Sequence, residues 1–180
     1  MRGTALVRSL VLATALTALV ASAADAPATF KVGEFTFARP KGWDWVESTS
    51  AMRKAQLKVV KAGQESEVIF FFFGPGGGGG TQANIDRWLG QFKEPRADLK
   101  SKTEEATAGG RKVTHVQAEG TYMSGMPGAT RTPQPNSMLL GAILESDAGN
   151  VFVRMTGPAK LMAESRPEFR KMIDSAKAGN

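Results

Sequence analysis

The stretch FFFGPGGGGG, Phe71 to Gly80, has the spacing in this chain that most invites a chemical role. Gly74, Gly76 and Gly79 fit G-x-G-x-x-G, the pattern of a turn whose backbone N–H groups close on a phosphate. A strand-like run precedes it and a helical pattern follows, which is the local context a dinucleotide turn needs. Three features weigh against that reading. The preceding strand is predicted to pair in a hairpin rather than open a βαβ unit, the segment after the helix is polar, and a chain exported by the leader described below has no ready nicotinamide supply. A Walker loop is excluded, because no lysine stands at the required place before Gly80-Thr81. Two readings are left. Glycine can simply let the chain leave a crowded strand and enter a helix capped by Thr81. Alternatively, the N–H groups of Gly76, Gly77, Gly78 and Gly79, beside a positive helix N-terminus, can form an anion or peptide site.

The following helix lends the second reading some support. At 3.6 residues per turn, Asn84, Arg87 and Gln91 share one side, next to the apolar stripe that carries Trp88. An amide, a guanidinium and a second amide along one ridge can bind a carboxylate, a phosphate or another chain's backbone. The same three can equally form a solvated face or a network tying helix to sheet. Gly76 to Gly79 with Asn84, Arg87, Trp88 and Gln91 is therefore the expected ligand or partner site, with the Ser124 to Asn136 segment as a gate.

Other chemistries find little to work with. His115 is the only histidine and has no ligand-like acids spaced around it, so neither a metal nor a cofactor is expected. No serine lies in a G-x-S-x-G elbow. Glu104 and Glu105 are adjacent and point to opposite faces of a strand, the wrong arrangement for paired acid/base carboxylates. Trp43 and Trp45 can stack a sugar or a peptide, or fill a core. The rival from the enzymes is a small hydrolase or isomerase using His115 or Tyr122. It needs a pocket in which one of them meets a second titratable group.

The N-terminus bounds where any of this happens. Arg2 and Arg8, the uncharged run Ser9 to Val20 and the triplet Ala21-Ser22-Ala23 have the build of a cleavable secretory signal peptide, residues 1–23. Its apolar core is shorter than the ~20 residues that span a bilayer, so no membrane anchor is expected after cleavage. The mature chain then starts near Ala24 as a single domain, residues 24–180, periplasmic or secreted. There is no cysteine, which removes thiol nucleophiles, thiolate metal ligands and a lipid-modifiable residue after the leader. The formal charge of +6 is dispersed, unlike the concentrated stripe that nucleic acid requires. Weak attraction to anionic glycans or lipid headgroups is the third reading, marked by sensitivity to salt.

Hydrophobic spacing supplies the elements. Phe30, Val32, Phe35 and Phe37 alternate in two extended pieces around Gly33-Glu34. A hairpin turns at Gly63, another at Gly109-Gly110, and a third at Asp147 to Asn150. Four consecutive phenylalanines, Phe70 to Phe73, cannot share one face of a strand, so both faces must be covered. Ile85, Trp88, Leu89 and Phe92 predict one amphipathic helix. Phe169, Met172, Ile173 and Ala176 predict another, with Pro167 in its first turn. The Gly- and Pro-rich segment Ser124 to Asn136 reads as a long loop. The expected class is α+β, an antiparallel sheet with helices packed on both faces.

Several of these residues together carry a resemblance. FTFARPKGW, the strand-loop-helix FFFGPGGGGGTQANIDRWLGQF, the strand ending GTYM, and VFVRMTGPAKLMAESRPEFRKMIDS resemble a group of uncharacterised bacterial exported proteins, and through them the PsbP-like fold. That fold includes the extrinsic photosystem II subunit, the periplasmic DcrB-type proteins and a Ran-binding protein. The resemblance implies an α/β/α sandwich and a function in binding partners or assisting assembly, with no shared catalytic set. The expected function is thus a non-catalytic binding or assembly factor of the cell envelope, whose partner is an envelope protein or a small anionic ligand.

Overall fold

The structure is a computed structural model that describes residues 26–125 and 130–179. The leader and its cleavage triplet lie outside the described residues. In chain order the elements are β1 (Thr29–Val32), β2 (Phe35–Ala38), β3 (Asp44–Trp45), β4 (Arg53–Lys61), β5 (Gln64–Phe72), α1 (Thr81–Leu89), β6 (Lys100–Ala108), β7 (Arg111–Ser124), β8 (Thr132–Leu144), β9 (Val151–Pro158), α2 (Ala159–Asp174) and β10 (Lys177–Ala178).

Turn chemistry fixes the main sheet. Ala62-Gly63 and Gly109-Gly110 hold positive φ at both positions, 49° and 75° in the first and 57° and 78° in the second. That conformation suits the right-handed twist of paired strands, and it closes the β4–β5 and β6–β7 hairpins. The seven-stranded sheet runs β3-β4-β5-β9-β8-β7-β6, every neighbouring pair antiparallel. β1 and β2 do not join it. They form a separate three-stranded sheet with the two-residue β10, in the order β1-β2-β10. This corrects the expectation of one continuous sheet: the first hairpin pairs with β10 and packs against the main sheet through Phe30, Val32, Phe35 and Phe37.

Two apolar clusters lie on the sheet. Leu140, Ala142 and Leu144 of β8 belong to the larger one, with Phe35, Phe37 and Trp43 of the N-terminal segment and Leu161, Met162, Phe169 and Ile173 of α2. Leu139 and Ile143 of the same strand belong to the smaller one, with Ile85, Trp88 and Leu89 of α1. Successive side chains alternate along a strand, which is why one strand feeds both clusters. The phenylalanine run divides in the same way. Phe70 is fully buried and Phe72 packs on the larger cluster, whereas Phe71 packs on the smaller. Phe73 lies past the end of β5 and is 45 % exposed, stacked on Phe71, so the covering of the run stops one residue short of the expectation.

Two predicted details fail for identifiable reasons. Pro167 lies inside α2, not in its first turn, because β9 runs directly into the helix and Pro158 occupies the N-cap. An internal proline leaves the carbonyl four residues back without its donor. Here that residue is Ala163, and both it and Pro167 are on the exposed face, where water substitutes. Of the Ser124 to Asn136 segment, expected as a long loop and a gate, Ser124 and Thr132 to Asn136 are strand, and residues 126–129 lie outside the described residues. Beyond the last pairs with β9 (Ser137↔Pro158) and β6 (Lys100↔Glu119), β7 and β8 continue as an arm with Tyr122↔Gln134 and Ser124↔Thr132 opposed. Pro133 and Pro135 are tolerated there because that part of β8 has no second strand requiring its N–H groups. An extra residue on β8 bends the arm, and Asn136 takes it up at φ 52°.

Candidate functional site

The glycine run is a packed turn. Gly77 N–H donates to Gly74 O at 3.1 Å. Gly78 sits at φ 79° with the rings of Phe73 and Phe152 so close that a Cβ there would fall 2.7 Å and 2.6 Å from them. Gly149, in the turn after β8, lies against the backbone of Gly74 at φ 116°, where any side chain would collide with that carbonyl. The run therefore needs glycine for conformation and for close approach.

Asn84 explains how the turn is held. It is fully buried, and its Nδ2 donates to Gly78 O and Gly80 O, each at 2.9 Å. Its Oδ1 accepts from Arg87. All of this side chain's polar groups thus serve the loop and its own helix. The helix N-cap is Gly80 with no side-chain cap, and Thr81 instead donates its hydroxyl to Glu145 Oε1 at 2.7 Å. Thr81 as the cap is corrected accordingly. Trp88 is buried with its ring directly over Gly141 of β8. Of the expected site residues on the helix, Asn84 of the ridge and Trp88 of the stripe beside it point inward, and Arg87 is exposed.

Gln91 connects to something the sequence reading missed. Just past the helix, its Oε1 accepts both the Tyr122 hydroxyl at 2.7 Å and Arg154 Nη1 at 3.0 Å. The chain is pinned at this place, since Lys93 N–H donates to Thr121 O and Met123 N–H to Gln91 O. Arg154 is in β9, on the face that carries Phe152, and lines a groove shared with β5 and the segment that leads into β4. The main hollow is about 650 Å³, bounded by Ser50, Met52, Gln56, Ile69 and Phe71. A second hollow of about 300 Å³ continues past Ile69 to Lys58 and Thr156. The volumes are in the range of ligand clefts.

The charges of the groove are unevenly matched. Arg53 lies 3.6 Å from Glu67, and the two are bridged by Gln56, which accepts from Arg53 at 2.9 Å and donates to Glu67 at 2.7 Å. Lys58 pairs with Glu65 at 2.6 Å, which raises its ammonium above the ordinary value. Arg154 has no carboxylate within 4.0 Å among the described residues. A half-buried guanidinium held only by a neutral amide keeps donors for an anion. The signal was present in VFVRMTG, where one arginine interrupts the apolar alternation of a strand central to the sheet.

His115 lies elsewhere, beneath α2. Its Nε2 is 2.6 Å from Asp174 Oδ1, so it does meet a second titratable group. The adjoining void, however, is only about 20 Å³, room for a single water. Around it Glu104 is bound by Lys102 at 2.8 Å and Arg170 at 2.5 Å, which together hold its carboxyl at about 2. It therefore stays ionised across neutral pH and loses these partners' support only as pH falls toward that value. The cluster joins α2 to β6 and β7. Tyr122 meets Gln91, not a titratable partner. Among the described residues no group of three metal-binding side chains converges.

Comparisons with known proteins place the fold. No protein-family model matches the sequence, and no curated protein matches it. Among solved structures, the solution structure of cyanobacterial PsbP (CyanoP) from Synechocystis sp. PCC 6803 is similar with a TM-score of 0.51, covering 89% of this chain and 98% of that chain at 9% identity. At that identity the likeness concerns the fold alone. The PsbP-like fold implied by the sequence resemblance is the fold of this chain.

Proposed function

We propose that the protein is a non-catalytic binding or assembly factor, exported by its leader as one domain to the periplasm or beyond, which engages its partner or ligand through the groove lined by Arg154. The observation that carries this reading is the unpaired guanidinium in an open cleft. The arrangement around it supports the rest. β8 gives Leu139 and Ile143 to the α1 cluster and Leu140, Ala142 and Leu144 to the α2 cluster, as expected of an α/β/α sandwich with one helix on each side. α2 and the small sheet occupy one side, and α1 leaves part of the other open beside β4, β5 and β9. The one acid–histidine pair faces a void too small for a substrate, which favours binding over catalysis.

A photocrosslinking side chain at Met52, 61 % exposed on the groove rim, tests the reading against the same probe at Lys100 on the edge strand β6. Intact-mass analysis of leader-cleaved protein from the envelope fraction is expected to show an adduct from position 52 alone. Equal adducts at both positions, none at either, or an uncleaved chain in the cytoplasm would contradict it.

A further inference from the structure

We propose that the groove is a site for a monocarboxylate with an apolar body, its carboxylate gripped by Arg154 and its body lying along Ile69, Phe71 and Met52. This rests on the groove being the binding surface, as argued above, and adds the chemical class of what fills it.

Charge gives the first restriction. Arg53 and Lys58 already have Glu67 and Glu65 as partners, so Arg154 is the cation of the groove without a carboxylate. Its planar fork suits a carboxylate, which can accept two parallel N–H bonds. Glu47 lines the same hollow, and Glu67 lines the second hollow, which Arg154 shares. Glu67 is neutralised by Arg53, so the unpaired charge of Arg154, with Glu47 the single unneutralised carboxylate of the same hollow among the described residues, favours a monoanion over a phosphate dianion.

The walls give the second. Ile69 and Phe71 stand on the same face of β5, and Phe73 stacks on Phe71 with ring centroids 6.3 Å apart. Met52 rises on the opposite rim with its flexible thioether side chain exposed, a residue suited to adapt to an apolar body. The polar end is pre-organised. Gln91 holds Arg154 from one side while Tyr122 fixes the orientation of Gln91, so the guanidinium is positioned before a ligand arrives.

The test is calorimetric titration of the protein with sodium decanoate, with 1-decanol and inorganic phosphate as controls, and with Arg154→Gln and Arg154→Lys variants checked for an unchanged melting temperature. Decanoate is expected to bind saturably, decanol and phosphate at least about tenfold more weakly. Arg154→Gln should weaken decanoate by about tenfold or more, and Arg154→Lys by less, because the charge stays and the fork is lost. If the variants fold poorly, the Arg154 Nε–H resonance of the unaltered protein serves instead and is expected to shift on adding decanoate. No decanoate binding, an unmoved Arg154 signal, equal affinity for decanol, or binding only of a peptide with a free C-terminus would overturn the proposal. A position-specific adduct at Met52 together with no decanoate binding would leave the groove reading standing while this inference falls.

Discussion

Replacing Trp88 by alanine is expected to lower stability by about 3–5 kcal/mol, the usual range for removing a buried large aromatic. The ring is 4 % exposed and forms the centre of the smaller cluster, between Ile85 and Leu89 of its own helix and Leu139, Ile143 and Phe152 of the sheet. α1 is only nine residues long, so packing, not helix propensity, keeps it in place. Gly141 makes this prediction sharper. Its missing Cβ is what lets the indole lie on the strand, and a methyl there would collide with the ring. Gly141→Ala should therefore cost about 1–3 kcal/mol by overpacking in the unaltered protein and much less in the Trp88→Ala background. Urea unfolding of the two single variants and the double variant measures the coupling. Strictly additive losses would mean that the indole does not rest on Gly141.

Asn84→Leu is expected to cost about 1–3 kcal/mol, the usual range for leaving one acceptor in a part-buried turn without its donor. The leucine keeps the branched shape, but Gly78 O loses its donor and Gly80 O keeps only the backbone N–H of residue 84, at the point where the glycine run enters the helix. Hydrogen exchange should accelerate locally, in Gly77 to Ile85, beyond the global loss of stability. Arg87→Ala should change stability by under about 1 kcal/mol, because the guanidinium is exposed and its partner amide keeps two other bonds. A stable Asn84→Leu protein that had lost only its ligand would reverse this assignment and restore the glycine loop as the binding site.

These two residues show what the sequence could and could not convey. The stripe Ile85-Trp88-Leu89 was legible because a helix that buries one side must repeat at that period. The hairpins were legible because their turns demand residues tolerant of positive φ, and glycine stands there. The direction in which Asn84 and Gln91 spend their hydrogen bonds was not legible, since an amide on the flank of an amphipathic helix looks the same whether it meets water, a ligand or a backbone carbonyl. β10 was invisible because two residues have no period. The prolines of TRTPQPN suggested a loop, since only the three-dimensional pairing shows that this part of β8 has a free edge. Pro167 suggested a helix start for a similar reason, as it hides on a solvent face that the sequence alone did not locate. Arg154 was the most informative omission. A charge in a strand central to the sheet is costly unless it is partnered or functional, and among the described residues its side-chain partner is an amide brought from 63 residues away.

The central claim is that recognition belongs to the groove at Arg154 and not to the glycine run. A crystal structure of the protein grown with decanoate tests it most directly. The account predicts the carboxylate within hydrogen-bonding distance of the Arg154 guanidinium and the chain of carbons along Ile69 and Phe71. Decanoate seated at the N–H groups of Gly76 to Gly80, with the groove empty, would contradict it.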